Sequence, residues 1–175
     1  MTTSTMTTST QPRSSQSTGT GPRLTAQDVW RAVSRASFAV LSHVTPKGAP
    51  RSTGVVYAVD GDRMLIAVAK DSWKARHIGT DGLVSVTVPI RRGGLLSLLM
   101  PIPPATVSFP AVATIHSGET LHRIPALAKL VPPERWASCV IVDVRPIGHY
   151  VTYGVGVPLL RMRDPMRSRA RIPVG

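Results

Sequence analysis

Cysteine is almost missing from this chain: Cys139 is the single one among 175 residues. No intrachain disulfide can therefore form, and no cysteine-cornered metal site. Cys139-Val140-Ile141-Val142 reads as a buried strand in which the thiol is a small apolar side chain. That usage suits a reducing compartment, and a cytoplasmic location is expected. Aromatic residues are also scarce, at 5% of the chain. The core must be assembled from Val, Ala, Leu and Ile, and Val in particular favours strands because branching at Cβ packs well on a pleated surface. An uninterrupted apolar run is lacking too. Residues 94–115 are nearly all apolar or small, but Pro101, Pro103, Pro104 and Pro110 interrupt them, which excludes a spanning helix. The N-terminus has no apolar h-region, so no secretory signal is expected. His43, His77, His116, His122 and His149 are scattered without ligand spacing, and no metal site is expected. No Ser-His-Asp constellation is assignable, so no catalytic side chain is named. The glycine-rich turn and regular strand–helix alternation of a dinucleotide-binding domain are absent as well.

Acids are few, nine against 21 Lys and Arg, giving a formal charge of +12. Half of the excess lies at the ends. Residues 1–23 hold Arg13 and Arg23 and no acid, and residues 161–175 hold five Arg against Asp164. Such tails attract nucleic acid or acidic membrane surfaces in some proteins. Charge alone does not specify a partner, and the tails read as solvated segments with no nucleic acid expected. The body between them is moderately basic, as suits a protein that binds a small anion.

With 42% hydrophobic residues in 175, one globular domain is expected. Residues 1–23 are a Thr-, Ser- and Gln-rich tract in which Met1–Thr5 recurs identically as residues 6–10. A tract with so little to bury does not offset its ordering entropy, and it reads as a disordered tail. The folded domain is placed at 24–157, and 158–175 reads as a basic C-terminal arm. A helix should begin after Thr25, with Asp28 completing a capping box and Val29, Trp30 and Val33 on its buried face. Strands are predicted at 38–45, 51–59, 64–69, 83–88, 105–116, 138–144 and 150–157. Pro46–Pro50 and Asp60-Gly61-Asp62 serve as turns. A short helix is predicted at 73–78 and another at 122–130, and Pro110 is assigned to a bulge or edge. Many short strands joined by tight turns make a mainly β domain, a small barrel or sandwich.

The order of the pieces from Phe38 to Val88 carries a resemblance. Phe38-Ala39-Val40-Leu41-Ser42, then Gly48-Ala49-Pro50-Arg51, Val55-Val56-Tyr57 before Asp60-Gly61-Asp62, Ser72-Trp73-Lys74-Ala75-Arg76, and Leu83-Val84-Ser85-Val86-Thr87-Val88 follow one another. They resemble the N-terminal half of the pyridoxamine-5'-phosphate-oxidase-like family. The match covers about fifty residues well and extends more weakly to about residue 150. It implies a six-stranded FMN-binding split β-barrel, a homodimer with its cofactor sites at the subunit interface, and FMN as cofactor, with the deazaflavin coenzyme F-420 as the alternative. It also implies flavin- or deazaflavin-dependent hydride transfer to or from a small molecule. A non-catalytic flavin- or haem-binding module is the other reading.

Under that resemblance Lys74 and Ser72, at a helix start, meet the cofactor phosphate, since free N–H groups there also favour an anion. Arg51, Ser52 and Thr53 reach the phosphate or ribityl chain. Gly54 lets a flat ring approach the backbone. Val68, Ala69 and Lys70 border the ring, with Trp73 beside them. Trp73 and Thr53 stand where pyridoxamine-phosphate oxidase itself has arginines, and that enzyme's C-terminal substrate segment has no counterpart. Its own activity is therefore not expected here. The apolar stretch 95–104 reads as a roof over the pocket or an interface.

Overall fold

The computed structural model describes residues 24–91, 104–158 and 168–175. The expectations for residues 1–23 and for the Pro-rich stretch fall on 1–23 and 92–103, outside the described residues. Within them the chain is mostly strand, and nine strands join one antiparallel sheet. In chain order they are β1 (Phe38–Val44), β2 (Pro50–Val56), β3 (Ala58–Asp60), β4 (Arg63–Ala69), β5 (Leu83–Ile90), β6 (Ala105–Ser117), β7 (Cys139–Pro146), β8 (His149–Tyr153) and β9 (Arg169–Pro173). Three helices accompany them: α1 (Ala26–Ser34), α2 (Trp73–Asp81) and the single-turn α3 (Pro125–Ala128). No helix among the described residues is long and apolar enough to cross a membrane.

The sheet runs β2-β1-β5-β6-β7-β4-β3. Its two ends are one chain passage, because only Tyr57 separates β2 from β3. The expected single strand 51–59 is broken there. Tyr57 turns inward to 3% exposure, and its hydroxyl donates to the Val33 carbonyl at 2.6 Å. A buried phenol needs such a partner, and burial raises its pKa well above the usual value. β2 therefore pairs with β1 and β3 with β4, and the sheet curls into a barrel that is sealed at β3 and open between β2 and β4.

A second break divides β7 from β8. Ala111 faces Pro146 and Ser108 faces Val151, so two residues of β6 span the space of four on the other chain. The bulge at Ile147-Gly148 sends β7 to pair with β4 and β8 to pair with β9. Pro110 sits at this switch. It lacks an N–H and contributes only its carbonyl, which accepts from Ile147 at 2.9 Å. Counting each interrupted passage once gives the six barrel strands, with β9 added outside them.

β9 corrects the reading of the last residues as a basic arm. Arg169–Pro173 pairs along β8 from Tyr153 to His149. Ile172 is buried, and the arginines at 169 and 171 face outward. The helix expected at 122–130 is also different. A 3-10 helix at Gly118–Arg123 precedes α3, which starts at Pro125, and a further 3-10 helix spans Pro133–Ser138. Prolines at 125, 132 and 133 start and stop these turns before any can lengthen.

The core fills the barrel. Leu41, Val86, Val88, Val107 and Val142 are fully buried, and Phe109 nearly so. α1 closes the end where β1 begins, through Val29 and Val33. Its capping box forms as expected, with Asp28 N–H donating to Thr25 Oγ1 and Thr25 N–H to Asp28 Oδ2, both at 3.2 Å. Trp30 lies edge-on to Phe109 and donates its indole N–H to the Gly61 carbonyl at 2.8 Å. α2 covers the other end with Ala75 and Ile78. A second, smaller apolar cluster lies outside the barrel, where Leu121 and Leu127 cover the outward residues Leu65 and Ile141.

Candidate functional site

The opening between β2 and β4 is where the site forms. β2 has no strand partner on its far side, and β3 pairs with β4 only from Arg63 to Leu65. Two unpaired edges thus face each other, one along β2 and one along residues 66–69, among the described residues. Between them lies a cleft of about 310 Å³. Gly54, Val55 and Val56 form one wall and Ile66, Ala67 and Val68 another, while Leu127, Leu130 and Val131 close the side under α3. Lys74, from the first turn of α2, is the one charged residue among the described residues that line it. An apolar slot bordered by Lys74 and flanked by strand edges without a partner suits a flat ring system bearing an anionic tail.

Of the ten residues assigned from the sequence, Gly54, Val68 and Lys74 line this cleft. Strand alternation explains why residues 51–54 do not act together. Ser52 and Gly54 share the outward face with Val56, whereas Arg51 and Thr53 share the inward face with Val55. Ser52 Oγ lies 2.8 Å from Ser42 Oγ on the neighbouring strand. Thr53 is half-buried, and its hydroxyl reaches only the adjacent Gly54 carbonyl, at 3.4 Å. The ring that lies against Gly54 is the chain's own Phe38, and a Cβ at position 54 would come within 2.8 Å of it and displace that exposed ring.

Ala69 and Lys70 continue the β4 edge into α2. Lys70 N–H donates to the Ser138 carbonyl at 2.9 Å, and Ser72 N–H to the Ala69 carbonyl at 3.0 Å. Ser72 is the N-cap of α2, its Oγ accepting from Ala75 N–H at 3.3 Å. That leaves its own hydroxyl hydrogen to donate elsewhere. Helix start, hydroxyl and Lys74 therefore lie within three consecutive residues beside the cleft, an arrangement that favours an anion.

A cluster that the sequence reading missed lies at the same end of the barrel. His43, the last inward residue of β1, is 5% exposed. Its Nε2 lies 3.3 Å from His77 Nδ1, and its Nδ1 is buried without a hydrogen-bond partner. Trp73 stacks on it, with ring centroids 5.4 Å apart and planes at 29°. Trp73 thus packs on His43 as well as standing in the α2 start. Burial first, then His77 and Arg51, lowers the pKa of His43. The alternation of Phe38–Val44 was the available signal, because it puts 39, 41 and 43 on one face.

That shift predicts a pH dependence. The folded state disfavours protonated His43, so its contribution to stability is present above the unfolded pKa of about 6.5 and is lost as pH falls below it. Between about pH 7.5 and pH 5 the melting temperature of the wild type should fall further than that of His43→Gln, which cannot titrate. Parallel curves for the two proteins would show that His43 is not held neutral by the fold.

The fold has known counterparts. An F-420 reductase superposes with a TM-score of 0.52 at 22% identity, covering 66% of this chain and 90% of that one. A haem-binding protein from Mycobacterium smegmatis gives 0.60 at 17% identity, covering 74% of this chain and 53% of that one. A putative pyridoxamine 5'-phosphate oxidase from Listeria innocua gives 0.54 at 16% identity, covering 69% and 92%. No family model matches the sequence, and no curated protein matches it either. At these identities the likeness concerns architecture: this chain has the split-barrel fold of the pyridoxamine-phosphate-oxidase-like proteins.

Proposed function

We propose that the chain binds FMN, or in its place the deazaflavin coenzyme F-420, in the cleft between β2 and β4, and acts as an oxidoreductase on a small molecule. The observation that carries this reading is the cleft's composition, nine uncharged, nearly all apolar residues and Lys74 at the start of α2. The apolar walls take the ring, and Lys74 with the Ser72 hydroxyl takes the phosphate. When bound, the ring supplies the hydride chemistry; the protein supplies orientation and exclusion of water. The unpaired edge at residues 66–69 offers main-chain groups to the ring's polar rim, and Leu127 and Leu130 shield it from solvent. The haem-binding alternative gains less support, because the described residues lining the cleft include no His, Cys, Met or Tyr to ligate iron. Titration with FMN and with F-420, followed by fluorescence, tests the reading. Saturable binding of one of them with turnover of the reduced form supports it, and binding of neither contradicts it.

The reading includes a homodimer. The outward positions of β1, β2 and β5, and those of β6 as far as Thr114, carry no charge, and Phe38, Val44, Val56, Leu83 and Val112 stand exposed among small Ser, Thr, Gly and Pro residues. An uncharged sheet face of this breadth suits burial against another surface. Gly54 and Val56 belong both to this face and to the cleft wall, so a second copy seated here would adjoin the cofactor. A dimer burying more than about 1,000 Å² in total is expected. Ser85, opposite Ser42 and Pro110 near the middle of the face, is the position to test. Ser85→Arg should give a folded monomer by light scattering. A wild type that is already monomeric at micromolar concentration would count against the dimer.

A further inference from the structure

The larger cleft lies at the opposite end of the barrel, about 470 Å³ between α1 and the β8–β9 region. One wall is a single helical stripe, Asp28, Arg31, Ala32 and Arg35, at the spacing that puts side chains on one face. Arg169, at the start of β9, stands on the other wall, and Leu24, Val155 and Ala170 supply apolar surface. The charges are not balanced. Asp28 holds Arg31 at 3.0 Å. Among the described residues no acid lies within ion-pair distance of Arg35 or Arg169.

Two guanidiniums without acidic partners on facing walls, above an apolar floor, define a ligand by its chemistry. We propose that this cleft is a second small-molecule site, separate from the cleft at Lys74, and that it takes a phosphate monoester with a compact apolar body. The described lining carries three arginines and Asp28, a net +2 that matches the dianion of such an ester. Guanidinium forks match phosphate oxygens in pairs. The volume falls within the range of about 300–1,000 Å³ usual for small-molecule sites. Ala32, between the arginines on the helix stripe, leaves room for the organic group. The site does not depend on the cofactor reading, because it shares no lining residue with the other cleft.

Calorimetric titration with phenyl phosphate tests the proposal, with phenol and inorganic phosphate as the two halves of the probe. Binding of phenyl phosphate should be saturable and at least about tenfold tighter than that of inorganic phosphate, since the apolar floor adds to the ion contact. Arg35→Ala and Arg169→Ala should each weaken it about tenfold, the range expected for one lost charge-assisted contact. Both side chains are exposed, so melting temperatures should barely move. Lys129→Ala, outside both clefts, should bind phenyl phosphate as the wild type does. Absence of saturable binding overturns the proposal, as does equal affinity for inorganic phosphate. Binding that survives the double variant Arg35→Ala/Arg169→Ala but falls in Lys74→Ala also overturns it, because the probe then occupies the other cleft.

Discussion

Lys74→Ala is expected to weaken binding of the flavin about tenfold to a hundredfold and to leave the fold intact. A lysine that meets a phosphate in a partly dehydrated cleft contributes about 1.5–3 kcal/mol through a charge-assisted hydrogen bond, and about 1.4 kcal/mol is a factor of ten. Among the described residues Lys74 is the one charge lining the cleft, so none of them there can replace it. It is part-exposed and belongs to the first turn of α2, where its aliphatic stem contributes little to the core. Fluorescence titration of wild type, Lys74→Ala and the control Lys129→Ala at two salt concentrations is the measurement. The wild type should lose more affinity at high salt than Lys74→Ala does, because only the wild type has the ion contact to screen. Unchanged affinity in Lys74→Ala would mean that residues 72–74 only start a helix.

Gly118→Ala should cost far more stability than Gly79→Ala. A Cβ at position 118 would overlap the carbonyl oxygens of both Trp136 and Cys139. These are backbone atoms, and Cys139 is anchored in β7 opposite Ala69. Overpacking costs typically about 1–3 kcal/mol, and a clash against two fixed carbonyls belongs at or above the upper end. For a domain of this size about 3 kcal/mol corresponds to a fall in melting temperature of roughly 6–12 °C. Gly118 also starts the segment that leads into α3, so the wall made by Leu127 and Leu130 should shift and flavin affinity should fall with it. Gly79→Ala is the contrasting variant. Its Cβ would meet only Ile115 Cγ1, at 3.9 Å, inside a helix that gains from alanine. A Gly118→Ala protein that melts with the wild type would show that the 3-10 turns can move aside freely.

Much of this architecture was legible because it is local. The apolar runs of β1, β4 and β5, the Thr25–Asp28 capping box and the Ser72 helix start are written in adjacent residues, and each forms where expected. The break at Tyr57 was not legible. Tyrosine is a good strand residue, and what pulls it inward is the Val33 carbonyl, 24 positions away in sequence. β9 was hidden by its arginines. Arg169-Ala170-Arg171-Ile172 does alternate, but what makes it a strand is the edge that β8 offers, which is a tertiary feature. One helix is expected at 122–130 because Pro125 is tolerated in a first turn, whereas prolines at 125, 132 and 133 allow only single turns there.

The candidate site divides along the same line. Lys74, Ser72, Gly54 and Val68 were identified by their order around a hairpin and a helix start. The α3 wall was not, since Leu127, Leu130 and Val131 approach β2 and β4 only in the folded chain. The pairing of His43 with His77 is likewise tertiary, joining β1 to α2 across 34 positions.

The central claim is that the cleft between β2 and β4 holds a flavin-type cofactor. Mass spectrometry of the small molecule released from natively purified protein tests it most directly. The account predicts the mass of FMN or of coenzyme F-420, near one per chain. Release of haem, or of no flavin or deazaflavin at all from protein that also fails to bind either when it is added, would contradict it.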